Sequence, residues 1–253
     1  MSNSIKKTIK LKTCPICAHK KFSEFNPQSF FFPSSSSSEF FPNHINNICH
    51  NCGIIFLNPT PSDEKLTEYY NSNYRQSQYC IEYKNKIIDL PVQFPESAHS
   101  FLRFKNFLKC IEKLKTKDEV FNFNKSYRVL DLGGYQGMFL NAFSQMFGIK
   151  GTVADFNMEG INFAKNNFNF NDSFIIQSSE NFNVKNKFNL VTMVHSLEHM
   201  RNPVSTLHHL KKNVLKNNGY IYIEVPNLFG SALSDPTHFF TFSTQSLKFV
   251  LNK

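Results

Sequence analysis

The sequence lacks features that would place it in several large classes of protein. No hydrophobic run approaches the roughly 20 apolar residues that a membrane-spanning helix needs. Met1–Lys12 is polar and lysine-rich, unlike an export signal, and no internal repeat points to a solenoid. We therefore expect a globular protein without membrane contacts that stays in the cytoplasm.

Acidic residues are also scarce. The 253 residues include 19 Asp and Glu against 28 Lys and Arg, a net charge of +9, and such a surface attracts anions. The excess of positive charge fits nucleic acid, and equally a nucleotide-sugar, a phosphorylated metabolite or an anionic cofactor.

At about 150 residues per domain, the length allows one large domain or an ordinary domain with a small companion.

Two pairs of cysteines predict a metal site. Cys14 and Cys17 form one Cys-x-x-Cys pair, and Cys49 and Cys52 form a second. Without an export signal a disulfide scaffold is disfavoured, and a redox pair would need a helix start after a strand. Tetrahedral zinc takes four thiolates delivered in such pairs. Because four thiolates leave no open position, we predict a closed, structural zinc site.

The pattern of apolar residues divides the chain into three zones. Residues 1–60 form the predicted zinc-binding domain, and residues 61–125 a helical connecting segment. In residues 126–253 strand-like runs alternate with helices, as in a parallel sheet with crossover helices. The helix before the last strand is predicted to begin at Asn202-Pro203 and to end at Gly219. The predicted strands are 127–132, 151–155, 173–177, 188–194 and 220–225.

A glycine-rich turn follows the first of these strands. A strand, a glycine turn and a helix start together bind an anionic or polar cofactor group through backbone N–H donors. The segment 133–137 does not fit the dinucleotide spacing, because Tyr135 and Met138 occupy the third and sixth places counted from Gly133. No Gly-Lys-Ser or Gly-Lys-Thr follows, which excludes a P-loop.

The pattern Asp131-x-Gly133-x-x-x-Gly137 resembles motif I of class I S-adenosylmethionine-dependent methyltransferases. The run from Phe188 to Pro203 resembles the family's fourth strand and the Leu-Glu-His segment after it, and Gly219 to Asn227 resembles the fifth strand. With the cysteine pairs, the chain is similar to methyltransferases that carry an N-terminal zinc-binding domain, a group that includes sugar C-methyltransferases. The resemblance implies a Rossmann-like α/β fold with a small zinc-binding domain.

Few residues follow the predicted fifth strand. We therefore expect the sheet to lack the antiparallel strands that normally complete it, and the chain to lack the C-terminal domain of the sugar C-methylating relatives. Three alternatives follow: the edge of the sheet stays open, a second copy of the chain or another partner covers it, or the chain is a shortened version of the family.

The resemblance implies which residues hold S-adenosylmethionine. Asp131 suits the methionine ammonium, Asp155 accepts from both ribose hydroxyls, and Phe156 flanks the adenine. Tyr135 stands where many relatives have glycine, and Ser179 where many have an acidic residue. The full predicted set is Asp131, Gly133, Gly134, Tyr135, Gly137, Asp155, Phe156, Ser179 and His195.

Methyl transfer needs a positioned acceptor and often a base. His195, His199 and His238 all follow strand ends, at the edge where open α/β sheets bind ligands. By the resemblance, His195 lines the methionine end of the cofactor, His199 faces the acceptor and His238 reaches the substrate. We predict His238 or His199 as the base and Glu224 as an orienting or acceptor-binding carboxylate.

The leading hypothesis is methylation, on carbon or oxygen, of a small anionic metabolite. A nucleotide-sugar or another phosphorylated precursor of a surface polysaccharide or secondary metabolite fits both the charge and the resemblance. An RNA methyltransferase is the second hypothesis, disfavoured because the lysines are spread along the chain rather than clustered with aromatic residues. The third is a non-catalytic partner subunit with a degenerate cofactor site.

Overall fold

The computed structural model describes residues 8–25, 45–72, 99–115, 121, 123–228 and 237–253. The chain divides into two compact units. The first unit is drawn from Met1–Arg75, Leu197–Leu207 and Val225–Lys253, and the second from Gln76–Ser196 and His208–Glu224.

The described helices and strands follow one another in this order: β1 (Thr8–Ile9), β2 (Phe22–Glu24), β3 (Asn46–Cys49), β4 (Ile55–Leu57), β5 (Thr60–Pro61), α1 (Asp63–Ser72), α2 (His99–Lys115), β6 (Val129–Leu132), α3 (Met138–Phe147), β7 (Thr152–Asp155), α4 (Met158–Asn167), β8 (Asp172–Ile175), β9 (Phe188–Val194), a 3-10 turn (Leu197–His199), α5 (Pro203–His209), a π-helical turn (Leu210–Val214), β10 (Leu215–Glu224), β11 (Phe240–Thr241) and α6 (Thr244–Leu251). None of the described helices combines the length and the hydropathy that crossing a membrane requires.

The first unit contains an antiparallel sheet in the order β11-β4-β3-β2, and β1 pairs separately with β5. Its edge strand β11 comes from the far end of the chain, with Phe240 opposite Phe56 of β4. The unit that carries the cysteine pairs therefore includes residues from 197–207 and 225–253. The predicted domain limits at residues 60 and 125 were placed from local sequence pattern, and they stay predictions.

The second unit is built on a parallel five-stranded sheet in the order β10-β9-β6-β7-β8. Its three central strands are almost entirely buried, as expected when helices cover both faces of a sheet. The first four strands lie where the sequence predicted them, to within a residue or two. The α/β, Rossmann-like fold is thereby confirmed.

A phenylalanine-rich layer covers part of the parallel sheet. Phe104 and Phe107 of α2 pack against Phe139 and Phe143 of α3, with ring centroids 5.6 to 6.4 Å apart. Phe107 also meets the ring of Tyr222 on β10 at 5.0 Å in an edge-to-face contact, a favoured aromatic geometry. This packing fixes α2 and β10 against the same core.

The predicted end of the helix at Gly219 is wrong, although its start is confirmed. The side chain of Asn202 accepts from the N–H of Ser205 at 3.3 Å, as an N-cap does. The helical segment ends at Val214, and Gly219 lies inside β10, where the pairing with β9 shifts register before Tyr220. A Cβ at Gly219 would come within 3.1 Å of a backbone oxygen of β9, so glycine fits a bulge here rather than a helix end.

Candidate functional site

Asp131 lies near the end of the central strand β6, opposite Thr192 of β9. The Thr192 hydroxyl donates to its Oδ1 at 2.7 Å, and its Oδ2 is buried with no hydrogen-bond partner among the described residues. A Cβ added at Gly134 would lie 2.5 Å from that Oδ2. The missing side chain at Gly134 therefore leaves room above an unsatisfied carboxylate oxygen.

The buried position of Asp131 also disfavours the ionised form of its carboxyl. Its burial raises the pKa of the carboxyl to about 7, and the negative charge of Asp155 adds to the effect, although the hydrogen bond from Thr192 opposes it. A buried acceptor of this kind attracts a cation, because a positive group would restore the stability of the ionised form. The predicted partner of Asp131, an ammonium, meets this requirement.

Asp155 ends β7 and holds the glycine turn in place. Its Oδ2 accepts from the N–H of Tyr135, and its Oδ1 from the N–H of Asn157, both at 2.8 Å. An ionised carboxylate accepts hydrogen bonds at both of its oxygens, as a ribose with two hydroxyl donors requires. The predicted bidentate role toward a ribose is compatible with this arrangement and stays a prediction.

The turn uses backbone conformations that favour glycine. Gly133 and Gly137 both have φ of +75°, and a Cβ at Gly133 would lie 2.5 Å from the side chain of Ser196. Tyr135 adopts φ of +49° without being a glycine, and its ring fits against α4 only because Gly160 has no side chain. The ring of Tyr135 is thus accommodated by the absence of a side chain at Gly160.

Two other predicted cofactor residues lie at the same edge of the sheet. Phe156 directly follows β7 and is 48% exposed, which leaves a large apolar ring facing solvent. Ser179 follows β8 and is buried. An exposed aromatic beside Asp155 is suited to stacking on a base, as the sequence predicted, although no contact in the structure tests it.

Sequence reasoning missed Gln136, which lies within the glycine turn. The residue is 7% exposed, and its Nε2 has no hydrogen-bond partner among the described residues. A buried amide donor costs about 1–3 kcal/mol unless it is satisfied, and such a donor is suited to a carboxylate. The only available signal was its place in the turn, because glutamine belongs to no cofactor motif named above.

We expect Gln136→Leu, which keeps the approximate volume, to weaken binding of S-adenosylhomocysteine about tenfold while leaving the free protein equally or more stable. The physical reason is that the variant removes a buried, unsatisfied donor that a bound carboxylate would satisfy. Titration calorimetry and thermal unfolding measure the two effects. Unchanged affinity would show that Gln136 does not contact the ligand.

His195 and Glu224 meet at the ends of adjacent strands β9 and β10. The N–H of His195 donates to the backbone oxygen of Glu224 at 2.8 Å, and its Nε2 lies 3.5 Å from the Glu224 Oε1. The hydroxyl of Tyr222 donates to the other carboxylate oxygen at 2.8 Å. The structure thus joins two predicted site residues in one hydrogen-bonded group and adds Tyr222, which the sequence analysis missed.

The charge on Glu224 is stabilised by its neighbours. Burial alone would raise the pKa of the carboxyl, but the hydrogen bonds from His195 and Tyr222 and the electrostatic attraction of the His195 ring and the Arg103 guanidinium outweigh burial and lower it. Burial and the neighbouring carboxylate raise the pKa of Tyr222, so its hydroxyl remains a donor. Arg103 of α2 is, after Gln136 and Tyr222, the third residue that the sequence did not predict.

The other two predicted catalytic histidines belong to the first unit. The rings of His199 and His238 lie 4.7 Å apart, and the Nδ1–H of His199 donates to the backbone oxygen of Thr237 at 3.0 Å. The buried carboxyl of Glu198 has an oxygen within 4.8 Å of a ring nitrogen of each histidine. The structure therefore brings the predicted pair together, and the role of either as a base is untested.

The four cysteines of the two pairs converge in the first unit. Sγ of Cys14 lies 3.7 Å from that of Cys52, and Sγ of Cys17 lies 3.5 Å from that of Cys49. All four sulfurs lie within 4.8 Å of one another. Zinc–sulfur bonds of about 2.3 Å in a tetrahedron place sulfurs roughly 3.8 Å apart, so this cluster could hold a zinc ion.

Each cysteine pair lies in a tight turn of the same design. The N–H of Ala18 donates to the oxygen of Cys14, and the N–H of Gly53 to the oxygen of Cys49. Ala18 and Gly53 have φ of +59° and +68°, so each turn has a left-handed residue directly after the second cysteine of its pair. Burial raises the pKa of Cys52 to about 12, and a bound cation would reverse this by stabilising the thiolate.

Residues 101–249 match the protein family described as methyltransferase domain. Among solved structures, the plantazolicin methyltransferase BpumL in complex with SAH and a pentazolic desmethylPZN analogue is similar, with a TM-score of 0.51 and 20% identity over 74% of this chain and 72% of that chain. No curated protein matches the sequence.

Two further structures are less similar. The complex of the Haloferax volcanii Trm112 methyltransferase activator with a methyltransferase matches with a TM-score of 0.38 and 19% identity, over 49% of this chain and 56% of that chain. The YcgJ protein of Bacillus subtilis matches with a TM-score of 0.42 and 18% identity, over 51% of this chain and 61% of that chain. Identities this low speak to the fold alone. Because the family match covers more than half of the sequence, the chain belongs to the methyltransferase-domain family.

Proposed function

We propose that the protein transfers a methyl group from S-adenosylmethionine to a small anionic acceptor. The observation that carries the proposal is the Oδ2 of Asp131, which lies beneath Gly134 with no hydrogen-bond partner among the described residues, at the strand edge where this fold binds ligands. A methionine ammonium supplies the missing positive donor. The unsatisfied Nε2 of Gln136 can donate to the methionine carboxylate. Asp131 and Gln136 would therefore bind the ammonium and the carboxylate of the methionine portion, respectively.

S-adenosylmethionine supplies an activated methyl group on a positively charged sulfur. The residues of this chain would position the cofactor and balance its charged groups. Asp131 and Gln136 would hold the methionine end, with His195 beside it. Asp155 would bind the ribose hydroxyls, and Phe156 and Ser179 would lie beside the adenine. The turn itself is formed by Gly133, Gly134, Tyr135 and Gly137. Similarity to an SAH-bound methyltransferase supports this assignment at the level of the fold.

The acceptor is proposed to be a nucleotide-sugar or another phosphorylated metabolite. The net charge of +9 favours anionic ligands. In the second unit, Arg103 supplies a positive charge close to Glu224, and an arginine recognises phosphate or carboxylate groups well. Such acceptors are precursors of surface polysaccharides or secondary metabolites. The resemblance to sugar C-methyltransferases motivates this choice of class.

The cysteine cluster is proposed to bind one structural zinc ion through Cys14, Cys17, Cys49 and Cys52. The sulfur separations support this assignment. The assignment of His238 or His199 as base, the location in the cytoplasm and a second copy or partner along β10 stay predictions from the sequence.

The first test is titration of the zinc-loaded protein with S-adenosylhomocysteine. We expect micromolar binding, and about 100-fold weaker binding for Asp155→Ala, because two hydrogen bonds to a charged carboxylate are worth about 3 kcal/mol together. Asp172→Ala, which removes an exposed carboxylate from β8, is the matched control and should bind normally. Thermal unfolding of both variants separates lost binding from lost fold.

The acceptor class needs a second measurement. Transfer of a radiolabelled methyl group to dTDP- and UDP-linked sugars should exceed transfer to the corresponding free sugars and to bulk tRNA. Preference for tRNA would support the RNA hypothesis instead. If the wild-type protein fails to bind S-adenosylhomocysteine, the enzymatic proposal is wrong for this chain.

A further inference from the structure

We infer that His195 takes the proton from the methyl acceptor, with Glu224 and Tyr222 as positioning residues that hold its ring. This inference rests on the proposed function and assigns the base within it. The sequence predicts instead that His195 binds the cofactor and that His199 or His238 is the base.

The backbone places His195 at the end of β9 in an uncommon conformation. Its φ is +52°, a region that costs a non-glycine residue free energy and is found mainly at functional sites. The bond from its N–H to the Glu224 oxygen holds this conformation. The next residue, Ser196, donates from its hydroxyl to the oxygen of Leu132 at 2.9 Å, beside the glycine turn. His195 is therefore fixed next to the segment predicted to bind the methyl donor.

The side chain of Glu224 determines which ring nitrogen of His195 carries hydrogen. One carboxylate oxygen accepts from Tyr222 and the other faces Nε2 of His195 at 3.5 Å. An ionised carboxylate only accepts hydrogen bonds, so Nε2 must be the protonated nitrogen of a neutral ring. Nδ1 then carries the lone pair. In the same way, a carboxylate beside a catalytic histidine keeps the proton on one ring nitrogen and leaves the lone pair on the other.

The carboxylate of Glu224, 3.5 Å from Nε2, is the contact that distinguishes His195 from His199. The ionised Glu224 lies against the ring, and an adjacent carboxylate stabilises an imidazolium as it forms. His199 differs, because its Nδ1–H meets the uncharged backbone oxygen of Thr237. Among the described residues, the titratable or charged groups around His195 and Glu224 include Tyr222 of β10 and Arg103 and Cys110 of α2.

Access to solvent and ligand is retained at this position. The side chain of His195 is 28% exposed and that of Glu224 is 17% exposed, and the Tyr222 ring packs against Phe107 and Phe139. A base must reach its substrate, and its supporting groups must not move. The partial exposure of His195 above a fixed Tyr222 and Glu224 meets both conditions.

The proton transfer balances without any further reactant. Nδ1 of His195 accepts the proton of an acceptor O–H, or of a C–H next to a ketone. The electron pair left on that oxygen or carbon forms the bond to the methyl group as the methyl–sulfur bond breaks. The imidazolium then returns its proton to water.

The tautomer of His195 can be measured without an acceptor. We would record two-bond 15N–1H correlation spectra of zinc-loaded, full-length protein with 15N-labelled histidine and saturating S-adenosylhomocysteine, and assign His195 through His195→Asn. We expect the Nε2-protonated neutral tautomer at pH 8, and a mixture in Glu224→Gln, because an amide both donates and accepts. An Nδ1-protonated ring, or no change in Glu224→Gln, would overturn the inference.

Proton removal itself is measured by deuterium exchange. In D2O with bound S-adenosylhomocysteine, we would follow exchange of the C–H next to the ketone of a dTDP-linked 4-ketosugar. At saturating S-adenosylhomocysteine, His195→Asn should lower the exchange rate 100-fold to 10,000-fold. Glu224→Gln should lower it at least tenfold, and His208→Asn, an exposed histidine of α5, should leave it unchanged.

The alternative bases are tested in the same assay. If His199→Asn or His238→Asn abolishes exchange and His195→Asn does not, the inference is wrong and the prediction from the sequence is right. Absence of exchange by the wild type would count against this acceptor class, and thus against the proposed function. The tautomer measurement would then decide the inference by itself.

Discussion

Asp131→Asn is expected to stabilise the free protein and to weaken cofactor binding. The fold raises the pKa of the Asp131 carboxyl from its ordinary value of 3.8 to about 7. Between these values the folded state binds more protons than the unfolded state, so stability falls as the pH rises from about 4 to 7. At pH 8 the ionised carboxyl costs up to about 4 kcal/mol, and the neutral amide avoids most of this cost.

Denaturant unfolding of the cofactor-free protein checks the first half of this prediction. The gain in unfolding free energy should be about 2–4 kcal/mol at pH 8 and near zero below pH 4. Asp172→Asn is a matched control on an exposed carboxyl of β8 and should have little effect. A loss of stability in Asp131→Asn at pH 8 would mean that the carboxylate has a partner in the folded, ligand-free state.

Binding should respond in the opposite direction. An ammonium group prefers the ionised carboxylate, so affinity for S-adenosylhomocysteine should fall about tenfold per pH unit below pH 7 in the wild type. Asp131→Asn should bind at least 30-fold more weakly at pH 8 and should lose this pH dependence. Equal affinity of the two proteins would remove the observation on which the proposed function rests.

Loss of zinc is expected to have the largest effect on the first unit. A structural zinc ion contributes roughly 10–16 kcal/mol of apparent binding free energy in small domains, which is more than a typical domain's net stability. The purified chain should hold one zinc ion, and Cys14→Ser or a strong chelator should remove it. The amide resonances of β2, β3 and β4 should then move to the chemical shifts of an unfolded chain.

Cys110→Ser provides the matched control for the zinc prediction. Cys110 is an exposed thiol on α2, so this variant should keep its zinc and its amide spectrum. Metal analysis by mass spectrometry and 15N–1H correlation spectra supply the two readouts. A zinc-free wild type whose β2, β3 and β4 remain folded would show that the cysteine cluster does not depend on a metal.

The local sequence pattern was sufficient to predict a feature wherever that feature depends on residues a short distance apart in the chain. The Cys-x-x-Cys pairs predicted the cluster that the four sulfurs form, because each pair needs only its own turn. The buried strand runs predicted the parallel sheet, because strands buried on both faces are apolar throughout. Asn202 began a helix as expected, since an N-cap acts within one turn. Gly219 misled, because a glycine suits a strand bulge as well as a helix end.

The sequence by itself determined the parallel sheet, the glycine turn and the thiolate pairs, which all follow from residues close together in the chain. Only the tertiary structure decided that Asp131 is buried beneath Gly134 with one oxygen unsatisfied, and that His195 meets Glu224. Strand register places Glu224 opposite Val194, the residue before His195. Such contacts depend on how distant strands align, and no short-range spacing in the sequence encodes that alignment.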